Sequence, residues 1–304
     1  MSLPLKLISG SSHRALADDL AGELSVALEV ADIGAFADGE IRVHIDADVR
    51  GAEVAIVQPT CPPVNEHLMT LALMADAARA AGAAHVIAIV PYFGYARQEQ
   101  RGRVGEARSA QVAARLLAAV GVDDLITLDL HAPALESAFS MPATLLRADE
   151  LFLPQVKSWA ISDLVVVTPD AGGLKRAQRY ALALSAPLAA IAKHRPSADA
   201  AVVVEVLGDV RGRTCLIVDD MASTGRTLAS AAEALKQRGA REVHALFTHA
   251  VMAPGAIETL SAAPLSRLLT SDSVPVPEYA RLEVVRTAPL LASSLRSLTT
   301  RRDI

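Results

Sequence analysis

Aromatic side chains are scarce in this chain: one Trp, four Tyr and five Phe, 3% of 304 residues. Because 52% of the residues are nonetheless hydrophobic, the core must be built from aliphatic side chains and alanine, a composition suited to close packing of helices on a sheet. Cysteine is almost absent. Cys61 and Cys215 stand far apart with no CxxC or Cys/His ligand spacing, which excludes a disulfide framework and a structural zinc site and fits a reducing cytoplasm. No uninterrupted apolar run reaches the roughly 18–20 residues that a membrane-spanning helix needs. The opening MSLPLKLISG has no charged segment ahead of a long apolar one, so no secretory signal is expected. An excess of positive charge is lacking too. Lys+Arg 29 against Asp+Glu 34 gives a net charge of -5, which argues against nonspecific binding to nucleic acid or to anionic membranes.

What is present is alternation. Short apolar runs at Leu5–Ser9, Glu53–Gln58, His85–Val90 and Leu125–Asp129 read as strands, and the segments near Leu16–Leu24, Asn65–Ala81 and Ser109–Val120 have helical periodicity. A second set follows, with strands at Leu164–Thr168, Pro187–Ala192, Thr214–Val218 and Val243–Thr248 and helices near Leu174–Leu184 and Leu228–Gln237. Repeated βα units predict an α/β fold of two similar domains, each a mostly parallel sheet flanked by helices. Ile41 to Val49 alternates apolar and polar residues, as a half-solvated antiparallel strand or flap does. SMPATLLRADE at 140–150 is the expected boundary, giving domains 1–145 and 146–286. The last segment, about 287–304, reads as a short polar-basic helix packing back on the first domain.

The strongest chemical signal is CLIVDDMASTGRTLASAAEAL. An apolar strand runs into two carboxylates, a Thr-Gly turn and a helix. At the carboxyl end of a strand in an open α/β sheet, Asp219 and Asp220 can accept hydrogen bonds from sugar hydroxyls. The amides and hydroxyls of Ser223, Thr224, Gly225, Arg226 and Thr227, at the opening of the next helix, can cradle a phosphate. A sugar phosphate matches both features. The alternative is a solvent-capped turn in which Asp and Thr serve only as caps. RQEQRGRVGEAR, from Arg97 to Arg108, reads as an anion-receiving loop or as an ordinary charged surface loop. Tyr92, Phe93 and Tyr95 form either a binding platform or part of the core.

DDMASTGRT resembles the PRPP-binding loop of the type I phosphoribosyltransferases. FADGE (36–40), PYFGYARQ (91–98), LDLHA (128–132), VVVTPDAGG (165–173) and KHRP (193–196) extend the likeness to the ribose-phosphate pyrophosphokinase family, from about Leu5 to about Thr270. The resemblance implies two phosphoribosyltransferase-like domains and transfer of the diphosphoryl group of Mg-ATP to ribose 5-phosphate, giving PRPP and AMP. It implies Lys193 and Arg195 as the catalytic basic pair, Arg195 also touching the sugar phosphate, and His131 and Asp170 at a Mg2+ site. It assigns Phe36, Asp38, Gly39, Glu40, Arg97 and Gln98 to ATP, and Asp219, Asp220, Ser223, Thr224, Gly225, Arg226 and Thr227 to ribose 5-phosphate. It also implies a cytoplasmic homo-oligomer, a hexamer or smaller built from dimers, in which FADGE serves a neighbouring subunit's site.

The chain departs from the common bacterial pattern of that family. Ser223 stands where Asp is usual and Arg226 where Gly is usual, and Arg226 is expected to reshape the cradle by giving up glycine's access to positive φ. Gln100, Glu106, Arg108 and Gln111 also differ, in regions that contribute to regulation in relatives. A catalytically weak or silent regulatory subunit therefore stands as an alternative, with a PRPP-consuming phosphoribosyltransferase and an RNA-binding regulator behind it.

Overall fold

The computed structural model describes residues 3–131, 133–194 and 203–301. It divides into two compact units, one formed by 1–147, 273–275 and 286–304 and the other by 148–272 and 276–285.

The first unit runs β1 (Leu5–Ser9), α1 (Arg14–Leu24), β2 (Leu28–Glu29), β3 (Ala31–Ala35), β4 (Ile41–Ile45), β5 (Glu53–Val57), α2 (Val64–Ala80), β6 (His85–Ile89), α3 (Ser109–Ala119), β7 (Asp124–Leu128), a 3-10 turn (Pro133–Ala138) and β8 (Ala143–Leu146). Its sheet has the order β2-β1-β5-β6-β7-β8, parallel at every pairing. Alternate residues of the central strands fall into two clusters, as the two-residue strand period requires. Val54, Ile56, Val86, Ala88 and Leu125 pack with Leu71 and Met74 of α2 and Leu117 of α3. Ala55, Val57, Ile87, Ile89 and Ile126 pack with Leu16 and Leu20 of α1. β3 and β4 form a separate antiparallel hairpin, and β4 is half-solvated at alternate positions.

The second unit runs α4 (Asp149–Ser158), β9 (Leu164–Thr168), α5 (Leu174–Ala183), β10 (Leu188–His194), β11 (Val203–Leu207), β12 (Thr214–Met221), α6 (Arg226–Gln237), β13 (Glu242–His249), α7 (Ala256–Ala262), β14 (Arg267–Ser271) and β15 (Leu282–Val285). Its sheet order is β11-β10-β9-β12-β13-β14-β15; only β11 runs antiparallel. β9 is buried at every position, β12 and β13 at all but one, which explains the unbroken apolar run of β9 and the apolar stretch Cys215–Val218 ahead of the acids in β12.

The chain then returns to the first unit as α8 (Ala288–Arg301). The expected short polar helix is a 14-residue amphipathic one. Ala288, Leu291, Ala292 and Leu295 lie in the same cluster as α1 and one face of the first sheet. Ser293, Ser297 and Thr300 lie exposed on the outer face and mask that stripe in the composition.

Candidate active site

β12 carries the paired acids inside the strand, not beyond its end. Asp219 and Asp220 are 7% and 4% exposed, and the Asp220 amide donates to Asp219 Oδ1 at 2.9 Å. Arg176 of α5 places Nη1 3.9 Å from Asp219 Oδ1 and 3.7 Å from Asp220 Oδ1. Burial first, and then the neighbouring Asp220 charge, push the Asp219 carboxyl up to about 8, against the opposing pull of Arg176. A carboxyl pushed toward its protonated form beside a carboxylate can offer both a hydrogen-bond donor and acceptors.

The loop that follows is stitched to the end of β13 and the segment after it. The Ala222 amide donates to His249 O at 3.0 Å, Met252 to Ala222 O at 3.0 Å and Ala253 to Ser223 O at 2.9 Å. Gly225 is the N-cap of α6 at φ 73°. A Cβ there would stand 2.9 Å from Leu260 Cγ and 3.1 Å from Ala256 O of α7, so both backbone angle and space call for glycine. Arg226 is the first helical residue of α6. The expected reshaping of the cradle therefore does not occur, because the left-handed step falls on Gly225. The first α6 bond is Ala229 N to Gly225 O at 2.9 Å, leaving the amides of the first turn without helical acceptors. With the helix dipole, these make the opening of α6 an anion-receiving end.

Asp170 lies in an exposed turn just beyond β9. Its Oδ1 accepts the Gly173 amide at 2.9 Å, and its carbonyl accepts Thr168 Oγ1 at 2.6 Å. Lys193 is the penultimate residue of β10, opposite Val204 of β11. Arg195 lies outside the described residues.

In the first unit, FADGE is the turn joining β3 and β4. The Phe36 amide donates to Glu40 O at 2.8 Å, Gly39 to Phe36 O at 2.9 Å, and Asp38 Oδ1 accepts the Glu40 amide at 3.2 Å. Gly39 sits at φ 93°. Phe36 is 56% exposed at this tip, with a ring face available for stacking. Arg97 and Gln98 are exposed, and Gln98 Oε1 accepts Ser109 Oγ at 2.5 Å. Glu106 accepts the amides of Gly102 and Arg103 at 2.6 and 3.1 Å, so this charged loop is locally organised by its own carboxylate. His131 is exposed, three residues past β7.

Two domain families match the chain in succession. Residues 5–121 match the N-terminal domain of ribose phosphate pyrophosphokinase, and 139–257 match the phosphoribosyl transferase domain. The chain is 39% identical over 305 aligned residues to the ribose-phosphate pyrophosphokinase of Chromobacterium violaceum, covering 99% of this chain and 93% of that protein. The chain belongs to the ribose-phosphate pyrophosphokinase family. Ribose-phosphate pyrophosphokinase 1 of Lactococcus lactis is 41% identical, with 99% of this chain and 94% of the relative covered. The crystal structure of phosphoribosylpyrophosphate synthetase from Mycobacterium smegmatis is 35% identical, with a TM-score of 0.92 over 98% of this chain and 99% of that one.

Other residues divide clearly within this member of the family. Tyr92 and Phe93 are core, 6% and 3% exposed, with Phe93 edge-on to Phe139 at 5.2 Å; Tyr95 donates its hydroxyl to Asn65 Oδ1. They form no open aromatic platform. Both thiols are buried, and burial pushes each up to about 11, so both behave as small hydrophobes. His85 pairs with Asp124 at 2.7 Å and Asp123 at 3.3 Å, and His67 Nδ1 meets Cys61 O at 2.7 Å. Arg176 is the site-lining residue that motif reading overlooked. Its sequence neighbourhood, GGLKRAQ, is an ordinary amphipathic helix start, and only the fold brings it to the acids.

Proposed function

We propose that this chain is the enzyme ribose-phosphate diphosphokinase, transferring the β,γ-diphosphoryl group of ATP to the C1 hydroxyl of ribose 5-phosphate to give PRPP and AMP. The observation that carries this reading is the buried acid pair on β12 followed directly by the helix-opening loop of α6. One half suits vicinal hydroxyls and the other a phosphate, in a chain that also holds the family's N-terminal domain.

Asp219 and Asp220 hold the ribose hydroxyls. The amides of Arg226 and Thr227, with the hydroxyls of Ser223, Thr224 and Thr227, hold the 5-phosphate, and the Arg226 guanidinium adds a cation at the same end. ATP is taken by the first unit through Arg97, Gln98 and the FADGE turn of a neighbouring copy, which makes the protein a homo-oligomer. The C1 oxygen forms a bond to the β-phosphorus as the bridge to the α-phosphorus breaks, the bond pair leaving with AMP and the hydroxyl proton being released. Lys193 and Arg195 take up the charge that develops on the phosphoryl oxygens, where preorganised cations act most strongly.

Asp170 fits a hard cation: it is an exposed carboxylate, and among the described residues only its Oδ1 is engaged, by Gly173. Mg2+ would be held by Asp170 together with water and phosphate oxygens, with His131 of the first unit offered to a phosphate-bound ion there, and would neutralise polyphosphate charge. Among the described residues no three His, Cys, Asp or Glu side chains gather as a metal cage, and an ion that arrives with phosphate needs none. No described helix is long and apolar enough to cross a membrane; the cytoplasmic location belongs to the proposal.

The test is phosphorus NMR of the purified protein with ATP, Mg2+ and ribose 5-phosphate, with and without inorganic phosphate. AMP and a C1-linked diphosphate should appear together, and Lys193→Ala should lower kcat by about 100-fold or more while altering ATP binding little. ATP binding without turnover would instead favour the silent-subunit reading, which the undistorted loop at Gly225 and Arg226 does not support.

A further inference from the structure

Gly225 has its φ of 73° held from behind by α7, a helix of seven residues. So short a helix makes few internal bonds and depends on outside groups to satisfy its carbonyl end. Here one side chain does so. Arg281 donates from Nη2 to Ser261 O at 2.7 Å and Leu260 O at 3.4 Å, and from Nη1 to Leu265 O at 2.9 Å. Its Nε donates to Tyr279 Oη at 2.6 Å, and the same phenol receives Ser261 Oγ at 3.0 Å. The guanidinium is therefore engaged at all three nitrogens and fixed in direction. Leu260, whose carbonyl it holds, is fully buried and is the side chain standing where a Cβ on Gly225 would go.

We infer that Arg281, held by Tyr279, is a positioning residue for the sugar-phosphate loop, acting through Leu260 and Ala256 of α7 on Gly225 and the first turn of α6. This rests on the reading of that loop as the ribose 5-phosphate site. The stem of the loop has its own supports, the bonds of Ala222 and Ser223 to His249, Met252 and Ala253, so the effect of Arg281 is confined to the half that opens the helix. Small displacements of phosphate-binding amides weaken binding steeply, because the geometry is set by fixed N–H directions.

The experiment compares wild type with Arg281→Ala, Arg281→Lys and the milder Tyr279→Phe in the full chain. Arg281→Ala should raise KM for ribose 5-phosphate about tenfold with less than about a threefold change in kcat or in KM for ATP, and Arg281→Lys should fall between, the pattern of lost ground-state binding. Hydrogen exchange without any substrate should show faster exchange of the Ala229 amide, whose bond to Gly225 O is the first of α6, with those of Ala222 and Ala253 unchanged. If Arg281→Ala does not fold, Tyr279→Phe carries the same comparison with smaller shifts. Equal rises in both KM values, or a lower melting temperature with unchanged exchange in the α6 first turn, would overturn the inference. If the wild type makes no PRPP, the functional reading fails while the exchange result still decides whether Arg281 sets the loop.

Discussion

Arg176 stands 3.7 Å from the carboxylate of Asp220, a helix residue placed as counter-charge to two consecutive acids of a neighbouring strand. Adjacent buried carboxylates repel, and an arginine largely removed from water keeps its charge, so this contact sets how much negative charge the pair can carry. Arg176→Met should raise KM for ribose 5-phosphate about tenfold and lower stability by about 2 kcal/mol, since removing one partner of a buried charge cluster leaves the others uncompensated. Arg176→Lys should recover part of both. Steady-state kinetics and thermal melts check this; an unchanged KM would show the acids to be positioned by the strand alone.

The raised Asp219 carboxyl has a pH signature. Its folded value of about 8 lies above the ordinary 3.8, so between those limits the folded protein binds more protons than the unfolded chain, and its stability falls as pH rises through that window. Asp219→Asn removes the ionisation. The variant should melt above wild type at about pH 8, with the advantage gone near pH 4, while losing ribose 5-phosphate binding. A melting difference independent of pH would contradict this.

Arg226 is a helix-opening residue, so a glycine in its place should not improve the loop. Arg226→Gly should raise KM for ribose 5-phosphate about threefold through loss of a cation at the phosphate end, with turnover retained. A lower KM in the variant would show that the side chain obstructs the site.

α8 completes one face of the first unit. Leu291→Ala should cost about 3 kcal/mol, the usual result of emptying a fully buried leucine site, measured by denaturant titration. An effect below about 1 kcal/mol would mean that the helix docks only loosely.

The layered architecture was legible because central parallel strands are buried on both faces. Leu164–Thr168 has the same bounds in sequence and structure, since a continuous apolar run between turn residues leaves little choice; Leu5–Ser9 matches as well, although Lys6 interrupts its run. Edge elements were not. β8 (Ala143–Leu146) is half-buried throughout and lies in a stretch that reads as a boundary, and the valine-rich edge strand β11 follows β10 too closely to stand out as a separate run. At the site, the acid pair and the Thr-Gly turn were visible because they are contiguous. The left-handed step at Gly225 was displaced by one residue in the reading, because only the structure shows which residue Leu260 faces. Arg176 and Arg281 were invisible for one reason: each acts on a group remote in sequence, and a lone arginine in a helix or loop has no local pattern.

The return of the chain at Arg286–Ile304 to the first unit bears on the order of synthesis. A ribosome finishes every strand of the second unit before it makes Leu291, Ala292 and Leu295, so the unit begun first is closed last. Until α8 emerges, the face of the first sheet carrying Ala55, Ile87 and Ile126 is covered by α1 alone, leaving part of it as the kind of exposed apolar surface that chaperones bind.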